Sequence, residues 1–232
     1  MGELITFEKV SVKKSFTKSR IILFGEAGIG KSTFAHELSD KTLFMDLDKG
    51  TDFLDQVNRN NQDITAWEQV DSMINQFIAS DYELLCIDTI KKFIDLADAH
   101  ICKINKVNFI KDVGFGDGYK ATKKLFLMAL DKITVAKKGV IFLAHPKTKT
   151  NKTAEGLEWT TVGTDLPGSY ENEIIGMCDY VFYAFKNNKN EHCLRTKSTK
   201  YVTSVKNRDK KSKIPELMPL SAKQILEFAK QE

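Results

Sequence analysis

"GEAGIGKSTF" occupies residues 25–34, directly after the apolar run Ile21-Ile22-Leu23-Phe24. Four apolar residues running into a glycine read as a buried strand that ends in a sharp turn. The glycines of the turn let the backbone curl so that successive N–H groups point inward and form a concave anion site. From Lys31 to about Leu38 the residues Phe34, Ala35 and Leu38 share one face, so a helix begins where the loop ends and adds the positive end of its dipole. Gly25-x-x-x-x-Gly30-Lys31-Ser32 is therefore a complete phosphate loop, and strand-loop-helix is the context its mechanism needs. A chance match in a chain of this length is on the order of one per cent. Gly25, Glu26, Ala27, Gly28, Ile29, Gly30, Lys31, Ser32 and Thr33 are expected to hold a nucleoside triphosphate. Lys31 reaches the β- and γ-phosphates, and the Ser32 hydroxyl ligates magnesium (Mg²⁺).

A phosphate loop needs an acid at the end of a neighbouring strand to hold the metal. "YELLCIDTI" (82–90) is an apolar run ending in Asp88, which places that carboxylate at the C-terminal edge of a sheet. The competing reading is that Asp88 caps the next helix. Hydrolysis also needs a carboxylate to orient the attacking water. "LFMDLDKG" (43–50) carries Asp46 and Asp48, which alternation turns to the same side, with Asp48 further out and Gly50 permitting a sharp exit. Two acids at a strand end also make an ordinary solvated turn, and the pattern alone leaves that open.

Strands and helices alternate along the rest of the chain. A second strand is expected at 42–47. A Thr65-x-x-Glu68 capping box opens a helix to about Ile78, with Trp67, Val70, Ile74, Phe77 and Ile78 inward. A third strand follows at 82–87 and a helix from Phe93 to about Ile104. After "GFGDGY" (114–119) a helix runs from about Lys120 to Lys137, and "GVIFLA" (139–144) is the fourth strand. Residues 146–170 are polar, contain Pro146 and Pro167, and read as a long mobile loop. A fifth strand covers 179–185, two hairpin-like strands lie near 192–197 and 201–206, and Ser221-x-x-Gln224 caps a last helix over about 221–231. This order implies an α/β fold: a mostly parallel twisted sheet, helices on both faces and an antiparallel C-terminal hairpin. With no internal repeat and no convincing linker, residues 1–232 are expected to form a single domain, its core over about 18–210.

Composition excludes more than it selects. The 232 residues are 42% hydrophobic and 28% charged with a net charge of +4, ordinary for a globular chain and only mildly basic. Cys86, Cys102, Cys178 and Cys193 form no CxxC pair and no metal spacing with the histidines, so free thiols in a reducing compartment are expected. No apolar stretch approaches the roughly 20 residues that span a bilayer, and no signal peptide is visible. A myristoylation pattern at Met1-Gly2…Thr6 and a sequon at Asn151-Lys152-Thr153 are short patterns that recur by chance.

The order GEAGIGKST, FMDLDKG, ELLCIDT and VIFLAH resembles the RecA-like ATPase core, and most closely the short single-domain RecA-like ATPases encoded by phages. The resemblance spans about residues 18–210. It implies an ATPase, with ATP and Mg²⁺ as cofactors, that acts on single-stranded DNA in recombination or single-strand annealing, in the cytoplasm of a host bacterium. Catalytic roles fall on Lys31, on Asp88 with Thr89 beside it, and on Asp48, which stands where the family has glutamate and is one methylene shorter. His145, ending the fourth strand, takes the place of a γ-phosphate sensor. Lys206 and Arg208 in "SVKNRDKKSK" (204–213) match the Lys-x-Arg pair with which related ATPases reach a neighbouring subunit's γ-phosphate; the bland reading is a solvated basic hairpin end. In the second family DNA loop, "PKTKTNKTAEGLEW" (146–159), Lys147, Lys149 and Lys152 can neutralise phosphates and Trp159 can stack on a base. Lys103, Lys106 and Lys111 form a weaker basic group. The partners implied are single-stranded DNA and further copies of the chain in a ring or filament, assembling with nucleotide or DNA, with a single-strand-binding protein by analogy.

Two other functions remain open on sequence. A small-molecule kinase shares the phosphate loop, but such enzymes carry an arginine-rich lid, and this chain has only Arg20, Arg59, Arg195 and Arg208. A nucleotide-dependent loader or remodelling protein with little turnover fits the shortened Asp48. Adenine against guanine is not legible from the residues.

Overall fold

The computed structural model describes residues 14–208 and 213–230, apart from the side chain of residue 169. The myristoylation pattern and residues 209–212 of the basic stretch lie outside them. The central strands are β1 (Arg20–Gly25), β2 (Thr42–Asp46), β3 (Asn58–Arg59), β4 (Leu84–Asp88), β5 (Gly139–Ala144) and β8 (Tyr180–Lys186). They run parallel in the order β8-β1-β5-β4-β2-β3. β1, β4 and β5 are covered on both faces, which is why each reads as an unbroken apolar run rather than an alternating one.

Helices α2 (Trp67–Ala79), α3 (Ile90–Asn105), α4 (Asp117–Val135) and α5 (Gly168–Met177) cover one face; α1 (Lys31–Glu37) and α6 (Ala222–Lys230) cover the other. Phe93 centres the first core, with Trp67, Phe126 and Phe142 edge-on to its ring at 5.2, 5.6 and 6.2 Å. The Ser221 hydroxyl accepts the Gln224 N–H at 3.3 Å and caps α6 as expected. Among the described residues no helix is long and apolar enough to cross a membrane, and all four cysteines are free.

The expected architecture is present, with several elements redrawn. The cap of α2 falls one residue later than Thr65: Ala66 is the N-cap, and Gln69 Oε1 accepts the Thr65 and Ala66 N–H groups at 2.8 and 3.1 Å. Glu68 instead faces His100 and Lys103. α4 begins inside "GFGDGY", after Gly116 takes φ 79°.

The largest change concerns residues 146–170. They form a hairpin, β6 (Pro146–Lys152) with β7 (Glu158–Thr164), in continuous register from Pro146↔Thr164 to Lys152↔Glu158, followed by α5. Threonines alternate with lysines along β6 and recur in β7. They supply the β-branched period-two pattern, but overall polarity disguises it as loop. Gly156 at φ 85° closes the turn. Pro167 stands just before α5, where no helical N–H is lost.

At the C-terminal side β9 (His192–Arg195) forms the antiparallel hairpin with β8, and β11 (Leu217–Pro219) extends it. Residues 201–206 do not pair with 192–197. Val202 bridges Val162, and β10 (Lys206–Asn207) lies antiparallel against the start of β8.

Asp179, just before β8, ties this corner together. Burial pushes its pKa up. The Arg20 N–H at 2.9 Å, the Lys14 ammonium at 2.5 Å and the Arg20 guanidinium at 3.2 Å outweigh burial and hold it down at about 2. A carboxyl whose folded pKa is depressed stabilises the fold above its unfolded pKa and loses that contribution as pH falls through the folded value. Asp179→Asn is therefore expected to cost about 2 kcal/mol at neutral pH, the difference from wild type closing between pH ~4 and ~2. Urea unfolding of both proteins across that range measures it; a pH-independent difference would mean the ion pairs contribute nothing.

Candidate functional site

Every parallel strand ends at one edge of the sheet, and the turns after β1, β2, β4 and β5 meet there. The phosphate loop joins β1 to α1, with Gly28 and Gly30 at φ 74° and 100°, conformations that strain any residue with a Cβ. Lys31 curls back over the loop: Nζ donates to the Gly25 carbonyl at 2.8 Å and to the Glu26 carbonyl at 2.9 Å. Burial lowers its pKa, while the charges of Asp88, Glu26 and Asp165 oppose the shift.

The Ser32 hydroxyl donates to Asp88 Oδ2 at 2.8 Å, so the loop and the end of β4 meet as the sequence implied. Thr89, not Asp88, is the N-cap of α3, which removes the reading of Asp88 as a helix cap. Asp88 is buried and its pKa is raised. Burial is the main cause, and Asp46 and Asp48 add to it; the Ser32 bond and Lys31 pull the other way. A serine hydroxyl and a carboxylate are hard oxygen donors suited to Mg²⁺, which takes few protein ligands and keeps its waters. The pair fits a magnesium-nucleotide site.

The turn after β2 closes over this pair. Its organiser is Asp46, a role the sequence did not show. Asp46 accepts the Gly50 N–H at 3.0 Å, the Thr51 N–H at 3.2 Å, the Thr51 hydroxyl and the Arg59 guanidinium at 3.3 Å. The turn it holds brings Gly50 against Asp88, where an added Cβ would stand 2.7 Å from Oδ2. Asp48 projects from the same turn, exposed, and near enough that its charge raises the Asp88 pKa.

His145 follows β5, half-buried, beside the strand that carries the phosphate loop. Its carbonyl accepts the N–H of Asp165 at 3.0 Å. Asp165 is a site residue the sequence reading missed; its only signal was an acid before Pro167, lost once the segment was read as loop.

On the hairpin, Lys147, Lys149 and Trp159 share one face by register, and Lys152 lies on the other in an ion pair with Glu158 at 2.5 Å. The expected group of three lysines is thus divided. Lys206 and Arg208 stand at the opposite edge of the sheet from their own phosphate loop. Lys206 donates to the Ile175 and Gly176 carbonyls at 3.0 and 2.8 Å, and Arg208 to the Gly176 carbonyl at 3.1 Å, so both close the C-terminal end of α5.

Residues 17–210 match a protein-family model described as an AAA domain. A comparison with curated proteins matches none of them. Among solved structures, the fold is similar to that of the KaiC-like protein PH0186 from the hyperthermophilic archaeon Pyrococcus horikoshii OT3. That pair shares 13% identity at a TM-score of 0.45, over 79% of this chain and 80% of that one.

Proposed function

The chain belongs to the AAA-domain family and is a P-loop ATPase, and from that premise we propose that it acts on single-stranded DNA, in recombination or single-strand annealing of the phage type. The observation that carries the proposal is the hairpin β6–β7. It leaves the sheet at the same edge as the phosphate loop and sets Lys147, Lys149 and Trp159 on one face. Lysines spaced two residues apart along a strand can follow a phosphate backbone, and an indole among them offers a stacking surface for any base.

In this reading Ser32 and Asp88 would hold the nucleotide's Mg²⁺, which would supply counter-charge to the phosphates. Lys31 leaves the Gly25 and Glu26 carbonyls for the β- and γ-phosphates. Asp48 orients the attacking water, and His145 stands where a γ-phosphate would be sensed. Lys206 and Arg208 are too far from their own loop to act in it. They serve a neighbouring copy in a ring or filament, giving up the α5 carbonyls to do so.

ATP hydrolysis with and without single-stranded DNA, at low and moderate salt, tests the proposal: DNA is expected to stimulate turnover. ATP-dependent DNA binding with negligible turnover would favour a loader, a reading that the exposed position of Asp48 keeps in contention. Phosphate transfer to a nucleoside would overturn both. Replacing Lys147 and Lys149 together is expected to weaken DNA binding and reduce its log–log salt slope by about 1.4, as each lost contact to a single strand removes about 0.7. Lys152→Ala should change the slope less, because Lys152 is paired to Glu158 on the other face. Equal slopes in all three proteins would place the DNA on another surface.

A further inference from the structure

The hairpin β6–β7 is rooted at a carboxylate. Asp165 follows β7, and its N–H donates to the His145 carbonyl at 3.0 Å, closing the hairpin at its base. β5 lies beside β1 with Ala144 opposite Phe24, so the next residues along, His145 and Gly25, are neighbours. Gly25 is the residue whose carbonyl holds the Lys31 ammonium at 2.8 Å. At this junction the Asp165 Oδ1 atom is buried with no hydrogen-bond partner among the described residues. Buried carboxylate oxygens are normally satisfied, and an unsatisfied one is a standing cost to the fold. The negative charge of Asp165 is felt at Lys31, where it works against the effect of burial.

The root of the hairpin is tied to other elements as well. Thr164 donates its hydroxyl to Glu171 Oε1 at 3.1 Å, at the start of α5. The Val162 N–H donates to the Tyr201 carbonyl at 2.8 Å, and the Thr203 N–H donates to the Val162 carbonyl at 2.8 Å. A shift of Asp165 would therefore reach β7, α5 and the segment leading to Lys206 together.

We propose that Asp165 is a positioning residue that reports the charge on the phosphate loop to the β6–β7 hairpin: it stays at the hairpin root, bonded to His145, without a triphosphate and is driven away when one binds. The inference rests on the nucleotide reading of the site. A γ-phosphate on Lys31 adds negative charge near a carboxylate whose buried Oδ1 has no hydrogen-bond donor among the described residues, and like charges repel. A diphosphate brings less charge to that point and should leave Asp165 in place. Because the Asp165 backbone is bonded to His145, its displacement is passed to the hairpin. By linkage, whatever binds the moved hairpin then tightens triphosphate binding by the same factor.

Trp159 reports the test. It stands on β7 at 37% exposure while Trp67 is buried at 7%, so acrylamide quenching reads Trp159 selectively. In the wild type, magnesium with a non-hydrolysable ATP analogue is expected to change the quenching constant, and magnesium with ADP to leave it unchanged. Asp165→Asn should bind the analogue about 3–10-fold tighter, since the repulsion is gone, and should lose the quenching response. A merely structural Asp165 would shift quenching in the empty protein without distinguishing the two nucleotides. The proposal is overturned if Asp165→Asn keeps the wild-type response, or if the wild type answers ADP and the analogue alike; this second comparison decides even if the variant does not fold. Calorimetry run alongside separates the premises: no binding of either nucleotide to the wild type would remove the nucleotide reading and this inference with it.

Discussion

Lys31→Ala is expected to abolish ATP turnover, by at least about 100-fold, the scale on which removing one charge-stabilising donor from a phosphoryl-transfer site is felt. The structure explains why the loss should come without a collapse of the fold. Nζ donates to the carbonyls of Gly25 and Glu26 and, among the described residues, to no side chain. Glu26 is exposed, so water can replace the ammonium there. The backbone cradle itself is set by β1, by the left-handed Gly28 and Gly30 and by the first turn of α1, none of which depends on the lysine. The variant should therefore give an unchanged circular-dichroism spectrum, bind Mg·ATP weakly in calorimetry and release no phosphate above background. Undiminished hydrolysis would mean that the loop at 25–33 is not where the triphosphate sits.

Sequence reading succeeded wherever one local pattern dictated one backbone. The phosphate loop, the burial of β1, β4 and β5, and the meeting of Ser32 with Asp88 were all legible. Unbroken apolar runs leave few alternatives, and a glycine-rich turn between a strand and a helix has a recognisable purpose. Reading failed where contacts distant in sequence made the decision. Alternating threonine and lysine can be a strand or a solvated loop; pairing over seven positions of each arm and the bridge from Val162 to Val202 decided for the strand. The partner of β9 was misjudged because β8, already claimed by β1, also had a free edge that β9 and β10 share along its length. Asp165 was hidden for the same reason. Its significance lies in its bond to His145, which follows the strand beside β1 and the phosphate loop, and no spacing rule encodes that.

The pair Asp46 and Asp48 shows what the structure adds to a pattern of two acids at a strand end. Asp48→Asn is expected to leave nucleotide binding intact and reduce turnover by about 100- to 10,000-fold, the usual contribution of a positioned general base. Calorimetry on the same samples measures binding, which should not weaken, because Asp48 adds negative charge near Asp88. Asp46→Asn should behave differently. Its carboxylate holds the Gly50 and Thr51 N–H groups and Arg59, and thereby fixes the turn that presses Gly50 onto Asp88. Removing that charge should loosen the turn, so that binding and turnover fall together and the melting temperature drops. The two variants thus separate a residue that acts on water from one that positions the wall of the site, which one activity assay could not do. If Asp48→Asn hydrolyses ATP at the wild-type rate, no acid on this turn activates the water, since Asp46 already spends both oxygens on the turn itself. Any turnover would then depend on a group from outside the turn, and the slow, nucleotide-gated loader would become the better account of the same geometry.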